Sequence, residues 1–220
     1  MMKLTILIAV IVVLKYLVPR LVNFGAPEKS ERKSEWHYRI KFAKLNKEKF
    51  EKATQEEKEE MLYYFTHKLR QGDNYGEVSF KNMPKQLQVV WLVNELEMEV
   101  NNGGYLQFFT NASGRYADET LEALELIGAT YNRELLKNAY DVLIKYNENP
   151  NNLNEKINSK KIYEFIDLSK LYENSELQNE LYEMDKKFYQ YKENLSKLKM
   201  DYFEDHCQTL WPELERKYFN

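Results

Sequence analysis

The spacing of the apolar residues is the feature that most constrains the fold of this chain. From about residue 54 onwards they recur every three or four positions, as they do on one face of a helix. One such stripe comprises Val89, Leu92, Val93, Leu96 and Val100. Seven glycines and five prolines in 220 residues are too few for the frequent turns of an all-β protein. We therefore predict an all-α fold with a single multi-helix globular domain.

Capping and helix-ending residues give approximate limits for the predicted helices. Thr54 and Glu57 have the spacing of a capping box at the start of a helix. Pro84 is well placed to open the next helix, because its fixed φ suits the first helical turn. Further helices are predicted from about Asp118 to Gly128, over 131–146 and over 160–173, with loops at 73–82 and 147–156.

The N-terminal residues are the most apolar part of the chain and contain no acidic residue. As a helix, residues 3–22 would span roughly 30 Å, which is about the thickness of a hydrocarbon core. We predict that residues 1–22 form an N-terminal transmembrane helix, so the lipid bilayer is an expected partner through residues 3–22. A cleaved signal peptide is one alternative, although no A-x-A cleavage site follows. A buried helix is the other.

A polar linker and a membrane orientation follow from the next residues. The segment NFGAPEKSERKSE at 23–35 predicts a linker, followed by a helical domain over 36–220. Basic residues on the downstream side of the apolar run outnumber Lys3 and the amino terminus. The positive-inside rule then places the body of a single-pass membrane protein on the cytoplasmic side. A cleaved signal would instead export it.

The last predicted helix is the longest. Its apolar residues alternate by four and three, which is close to four heptads: Leu177, Leu181, Met184, Phe188, Tyr191, Leu195, Leu198 and Tyr202. One interpretation is a coiled coil that forms a homodimer through 177–202. The other is a long C-terminal helix that lies across its own domain. We favour the second, because Leu210 and Trp211 lie beyond the stripe and also need to be covered.

The sequence NNGGYLQFFTN, at 101–111, is predicted to end one helix and to begin a short aromatic turn. Glycine enters the left-handed region without steric cost, and asparagine tolerates it, so Asn102-Gly103-Gly104 suits a sharp turn. The aromatic side chains that follow this sharp turn would then be buried in the core. The alternative is a ligand-binding loop, but these glycines do not match the G-x-G-x-x-G phosphate-binding pattern. We expect a structural role.

The same stretch resembles the bacterial DNA-mimic-protein-like family, a domain of unknown function with an Asn-Gly-Gly-aromatic motif. The residues that carry the resemblance are Asn102, Gly103, Gly104, Tyr105, Gln107, Phe108, Phe109, Asn111, Gly114, Ala123, Leu124, Ile127, Gly128 and Ala129. The segment LYEMDKKFYQYKENLSKLKMDYFEDH is similar to the closing helix of the family, so the resemblance covers about residues 80–206. It implies an all-α domain with a binding role, since the family takes its name from an acidic member described as imitating duplex DNA.

A DNA mimic needs carboxylates in the places that phosphates occupy on DNA. The candidates for an acidic partner face are Glu95, Glu99, Glu119, Glu122 and Glu125, which lie one helical turn from each other in two groups. We expect Glu95 and Glu99 to face water on an amphipathic helix. The whole chain carries a net charge of −3, and its three charged residues before Pro27 are basic, so the remainder carries −6. That charge is far below the density of DNA, and it gives no basic surface for direct nucleic-acid binding.

No residue pattern indicates catalysis. His37, His67 and His206 are scattered and lack the spacing of a metal site, so no metal and no cofactor are predicted. The only cysteine, Cys207, excludes an intramolecular disulfide. Glu95, Glu97 or Glu99 would serve as a general acid or base only if it were desolvated in a cleft.

The sequence therefore predicts a membrane-anchored, non-catalytic domain that binds an unidentified protein partner. Two alternatives remain open. One is an acidic decoy, or an immunity-type inhibitor, that occupies a partner protein. The other is an enzyme such as a hydrolase, which would require a deep pocket with convergent polar residues and a perturbed pKa.

Overall fold

A computed structural model describes residues 45–70, 80–154 and 175–219, and these ranges form an all-α domain. The helices are α1 (Lys47–Lys52), α2 (Gln55–Arg70), α3 (Lys85–Thr110), α4 (Ala117–Leu126), α5 (Thr130–Lys145), α6 (Ser175–Phe188) and α7 (Leu195–Leu214). The described ranges contain no strand. The predicted anchor at 1–22, the linker at 23–35 and the predicted helix at 160–173 lie outside them.

Helix α3 lies at the centre of the domain, because α2, α4, α6 and α7 all pack against it. Its sequence allows this, since apolar side chains occur on every side of its first four turns. The fully buried members include Leu87, Val89, Val90, Val93 and Leu96. A helix that is apolar all round has to be enclosed by others, so α3 forms the axis of the core.

Helix α2 covers one side of α3, and α1 packs against α2. The predicted capping box is present: the Thr54 amide donates to Glu57 Oε2 at 3.1 Å, and the Glu57 amide donates to Thr54 Oγ1 at 3.3 Å. Leu62 and Phe65 of α2 are buried against the core. The predicted amphipathic stripe is therefore the face that α2 turns inwards.

A tight turn joins α4 to α5 at Gly128. Gly128 has φ of +74°, and the amide of Ala129 donates to the carbonyl of Leu124 at 2.8 Å. This left-handed glycine after a helix satisfies carbonyls that the last turn would otherwise leave open. Both helices were predicted from sequence, and α4 ends where Gly128 was expected to stop it.

The predicted continuous helix over 177–202 is wrong, because it is two helices. Helix α6 ends at Phe188 and α7 begins at Leu195, and Tyr191 between them has φ of +47°. Leu177, Leu181 and Leu195 are buried in this domain. The interruption removes the unbroken heptad seam on which a coiled-coil dimer through 177–202 was based. The long C-terminal helix exists, but it is α7 and runs to Leu214.

Among the described residues, no helix combines the length and the apolar composition needed to cross a bilayer.

Candidate functional site

The Asn-Gly-Gly sequence forms a kink inside α3. Gly103 has φ of −162° and ψ of 24°, and Gly104 has φ of +76° and ψ of −177°. Only glycine adopts the second combination without large strain. A Cβ atom on Gly104 would also lie 2.4 Å from Oδ2 of Asp185. After the kink the chain continues as helix to Thr110, and Tyr105, Phe108 and Phe109 are fully buried.

Helix α6 and the turn after it hold the kink from the other side. The Tyr105 amide, freed by the kink, donates to Asp185 Oδ1 at 2.8 Å. The Tyr189 hydroxyl donates to the carbonyl of Val100 at 2.7 Å, and the Tyr191 hydroxyl donates to Asn101 Oδ1 at 3.0 Å. Burial raises the pKa of Asp185, and the Tyr105 amide partly opposes that shift. Three side chains that lie 80 or more residues away in sequence therefore hold the two pieces of α3.

The polar side chains of the motif converge on Glu99. Gln107 Nε2 donates to Glu99 Oε2 at 2.7 Å, and Asn111 Nδ2 donates to the same oxygen at 2.8 Å. The kink makes this possible, because it brings Gln107 and Asn111, which follow it, to the carboxylate of Glu99, which precedes it. The side-chain amides of Gln107 and Asn111 are hydrogen-bonded within the protein, so this part of the motif joins the two pieces of α3.

Glu95 lies one turn before Glu99, and the prediction that it faces water is wrong. Its side chain is 14% exposed, and His67 Nε2 of α2 lies 3.5 Å from Glu95 Oε1. Burial and the nearby Glu99 raise the pKa of Glu95 from 4.5 to about 7, while Arg70 and the nearby Trp91 N–H oppose the shift. Helix α2 was predicted from sequence, but nothing in its pattern showed that it covers this carboxyl.

The other predicted acidic residues lie on the outer face of α4. Glu122 and Glu125 have side chains 68% exposed, and Glu119 is half-buried. With Asp118 they give α4 four carboxylates and no basic residue. Lys85 and Arg133 approach from neighbouring helices, at 3.4 Å from Glu122 and 3.3 Å from Glu125. The predicted acidic face is thus divided between two helices. On α4, Glu122 and Glu125 are exposed, and on α3, Glu95 and Glu99 are partly buried.

Comparison with known families assigns residues 81–206, more than half of the chain, to a family described as DMP19-like protein. The chain belongs to the DMP19-like protein family. No curated protein and no solved structure matches it significantly. The DMP19-like region begins just before α3 and ends within α7, so α1 and α2 precede it.

The remaining motif residues of this DMP19-like protein serve the fold. A Cβ on Gly114 would lie 2.4 Å from the backbone oxygen of Phe109, so the short 3-10 turn Ala112–Tyr116 requires glycine there. Ile127 is buried at the end of α4, next to the exposed Gly128. Asn102 is exposed on the kink.

Apart from the pair His67–Glu95, the residues considered for catalysis or metal binding are dispersed in the described part of the DMP19-like protein. Glu97 pairs with the buried Lys199 of α7 at 3.2 Å. His206 lies on the exposed side of α7, and burial raises the pKa of the Cys207 thiol. No cluster of metal-ligating side chains occurs among the described residues, and His37 lies outside them.

Sequence reasoning missed three side chains that hold this region together: Asp185, Tyr189 and Glu193. Glu193 accepts hydrogen bonds from the amides of Tyr131 and Asn132 at 2.9 and 3.0 Å, and so caps the first turn of α5. A local capping pattern cannot reveal such residues, because each caps a helix distant in sequence.

Proposed function

We propose that this DMP19-like protein is a non-catalytic module that binds a basic surface of a protein partner through the outer face of α4. The observation that carries the proposal is the charge of that helix. Three of its four carboxylates, those of Asp118, Glu122 and Glu125, are exposed, and Glu119 is half-buried. The opposite side of the helix is buried and is formed by Ala117, Thr120, Ala123 and Leu124. A short helix with one buried apolar side and one acidic side presents its charges to the solvent and to a binding partner.

The residues around α4 favour a simple protein-binding surface over a surface that imitates the phosphate charges of DNA. Lys85 and Arg133 interrupt the acidic face, so its charge density is below that of a phosphate backbone. The exposed side chain of Leu126 lies at the end of the same helix. An apolar residue beside charges is typical of protein interfaces, in which polar rims surround less polar centres.

The arrangement of the polar motif residues supports a binding role over a catalytic one. Gln107 and Asn111 both donate to Glu99, so their donors are engaged within the protein. Glu95 has the perturbed pKa that a catalytic acid would need, but it lies beneath α2. A perturbed pKa also occurs at structural clusters, and Glu99 beside Glu95 is held by hydrogen bonds from within the protein.

A second candidate function is an acidic decoy for a DNA-binding protein. Family membership supports a DNA-mimic-like protein. Asp118, Glu122 and Glu125 recur at intervals of four and three, which places neighbouring carboxylates about 5–6 Å apart at their Cβ atoms. Duplex DNA displaces the partner of a decoy but not the partner of a simple protein-binding module. Competition with DNA therefore distinguishes the two.

We also propose that residues 1–22 attach this module to a membrane. The support is the length and apolar character of that segment and the absence of acidic residues from it.

The test uses two charge-matched triple variants of the full chain. The first, Glu119→Gln/Glu122→Gln/Glu125→Gln, neutralises the outer face of α4. The control, Glu48→Gln/Glu51→Gln/Glu56→Gln, removes the same charge from exposed positions on α1 and α2, outside the family-matched region. Each tagged protein is expressed in its own cells, its partners are quantified by mass spectrometry, and the main partner is then titrated in purified form.

We expect the α4 variant to weaken binding of that partner by at least about tenfold, which corresponds to about 1.4 kcal/mol, and the control to change it by less than about twofold. Equal binding by both variants would reject the α4 face. A partner that an excess of duplex DNA displaces supports the decoy, whereas a partner that remains bound supports the simple module.

A further inference from the structure

A cleft of about 310 Å³ lies between α5 and the end of α6. Helix α5 contributes Tyr131, Glu134, Leu135 and Asn138 to its lining. The end of α6 and the turn after it contribute Lys187, Gln190 and Lys192. Leu135 is buried, and the other side chains of α5 border it, so the cleft has an apolar floor and polar walls.

Several contacts fix the two walls relative to each other. Glu193 ties the turn to the first amides of α5. The ammonium of Lys192 lies 4.6 Å from the centre of the Tyr131 ring. The Tyr131 hydroxyl approaches the carbonyl of Lys187 at 3.4 Å. A ligand would therefore meet a surface that is already formed, which lowers the entropic cost of binding.

The turn also holds a backbone conformation that a bulky residue rarely adopts. Tyr191 has φ of +47°, and its hydroxyl donates to Asn101 beside the Gly103–Gly104 kink. Such a conformation persists only where surrounding contacts determine it, and it is common at ligand sites. Here the strained residue lies between two cleft residues, Gln190 and Lys192.

The charge of the cleft is opposite to that of the body. Two lysines and one glutamate give it a net charge of +1, whereas the chain after its N-terminal apolar run is acidic. Among the described residues, Lys186 pairs with Glu183 at 2.6 Å, whereas neither Lys187 nor Lys192 forms an ion pair. The amides of Asn138 and Gln190 have the donors and acceptors that match a peptide backbone.

We propose that this cleft binds a short acidic segment of a protein. Carboxylates of the segment pair with Lys187 and Lys192, and its main chain hydrogen-bonds to Asn138 and Gln190. An apolar side chain of the segment packs on Leu135 and the Tyr131 ring. This site is separate from the acidic face of α4, because it uses other residues and the opposite charge.

Fluorescence anisotropy of a labelled peptide tests the proposal with the full chain in an uncharged detergent. The probe is fluorescein-Gly-Gly-Glu-Asp-Leu-Glu-Asp-Gly, and its Gln/Asn counterpart is the neutral control peptide. The cleft variant is Lys187→Gln/Lys192→Gln. The matched control is Lys49→Gln/Lys68→Gln, which removes two exposed lysines from α1 and α2. A third variant, Glu134→Gln, removes the one negative charge of the cleft.

We expect saturable binding of the acidic probe, weakened by about tenfold in the cleft variant and by less than about twofold in the control. Glu134→Gln should tighten binding by about two- to threefold, because it removes a repulsion within the cleft. No saturable binding up to about 1 mM probe would overturn the proposal. Equal losses in the two lysine variants would also overturn it, because they would mean that general surface charge attracts the peptide. None of these outcomes depends on the α4 face.

Discussion

Two residues of the centre of α3 carry unusual constraints, one electrostatic and one conformational. Glu95 is a carboxyl covered by α2, with Glu99 on its own helix and His67 and Arg70 on the covering helix. Gly104 is a backbone position that only glycine occupies without strain. Each constraint gives a measurable prediction for a single substitution.

The free energy of unfolding should fall as the pH rises from about 4.5 to about 7 because of Glu95. In that window the unfolded chain releases the proton of Glu95 while the folded protein, with its raised pKa, retains it. Ionisation therefore favours the unfolded state, by up to about 3 kcal/mol once the pH exceeds the folded pKa. Glu95→Gln should remove this contribution, so the variant gains stability relative to the native protein as the pH rises. Urea unfolding at several pH values measures the difference.

Glu56→Gln is the control for that series, because it removes an exposed glutamate of α2. Its stability relative to the native protein should stay constant over the same pH range. A Glu95→Gln variant with an equally constant difference would contradict the raised pKa of Glu95.

Gly104→Ala should destabilise the protein far more than Gly128→Ala. Both glycines have positive φ, but a Cβ on Gly104 would meet the Asp185 carboxylate, whereas a Cβ on Gly128 would meet no atom within 4 Å. We expect a loss of about 3 kcal/mol or more at Gly104 and about 1 kcal/mol at Gly128, measured by urea unfolding. Similar losses in the two variants would mean that the contact with Asp185 contributes nothing.

The segment from Asp185 to Glu193 organises the elements around it. Asp185 and Tyr189 hold the two pieces of α3, and Glu193 caps α5. The heptad pattern predicted that its apolar residues would be buried. Leu181, Phe188 and Leu195 are buried, whereas Tyr191 is 63% exposed. It could not predict the break after Phe188, because the chain turns there to reach α3 and α5, which are remote in sequence.

Glu193→Ala should destabilise the protein by about 2 kcal/mol, because the first amides of α5 would lose a charged acceptor. Glu134→Ala, at an exposed site in the same helix, should change stability by less than about 0.5 kcal/mol. Thermal unfolding of both variants measures the difference. A loss at Glu193 no larger than that at Glu134 would show that the cap contributes little to the stability of α5.

For the whole molecule, the proposed attachment to a membrane rests on the apolar residues before the helical domain. We expect the full chain to remain in the pellet after alkaline carbonate extraction of membranes. Ile8→Arg/Ile11→Arg should move it to the supernatant, because an arginine near the centre of a spanning helix costs about 2.5–3.5 kcal/mol. Ile8→Leu/Ile11→Leu is the matched control and should stay in the pellet. Release of the native chain by carbonate would contradict the anchor.

The sequence by itself determined the all-α class, the approximate positions of α2, α4 and α5, the start of α3 and the family, because these depend on local spacing of apolar, capping and glycine residues. It did not determine that α3 continues as a helix from the kink to Thr110. Only the tertiary structure decided that α2 covers Glu95, that α6 and α7 are separate and that Asp185 holds the kink in α3. These features arise from contacts between residues distant along the chain, and no local pattern records which helix faces will meet.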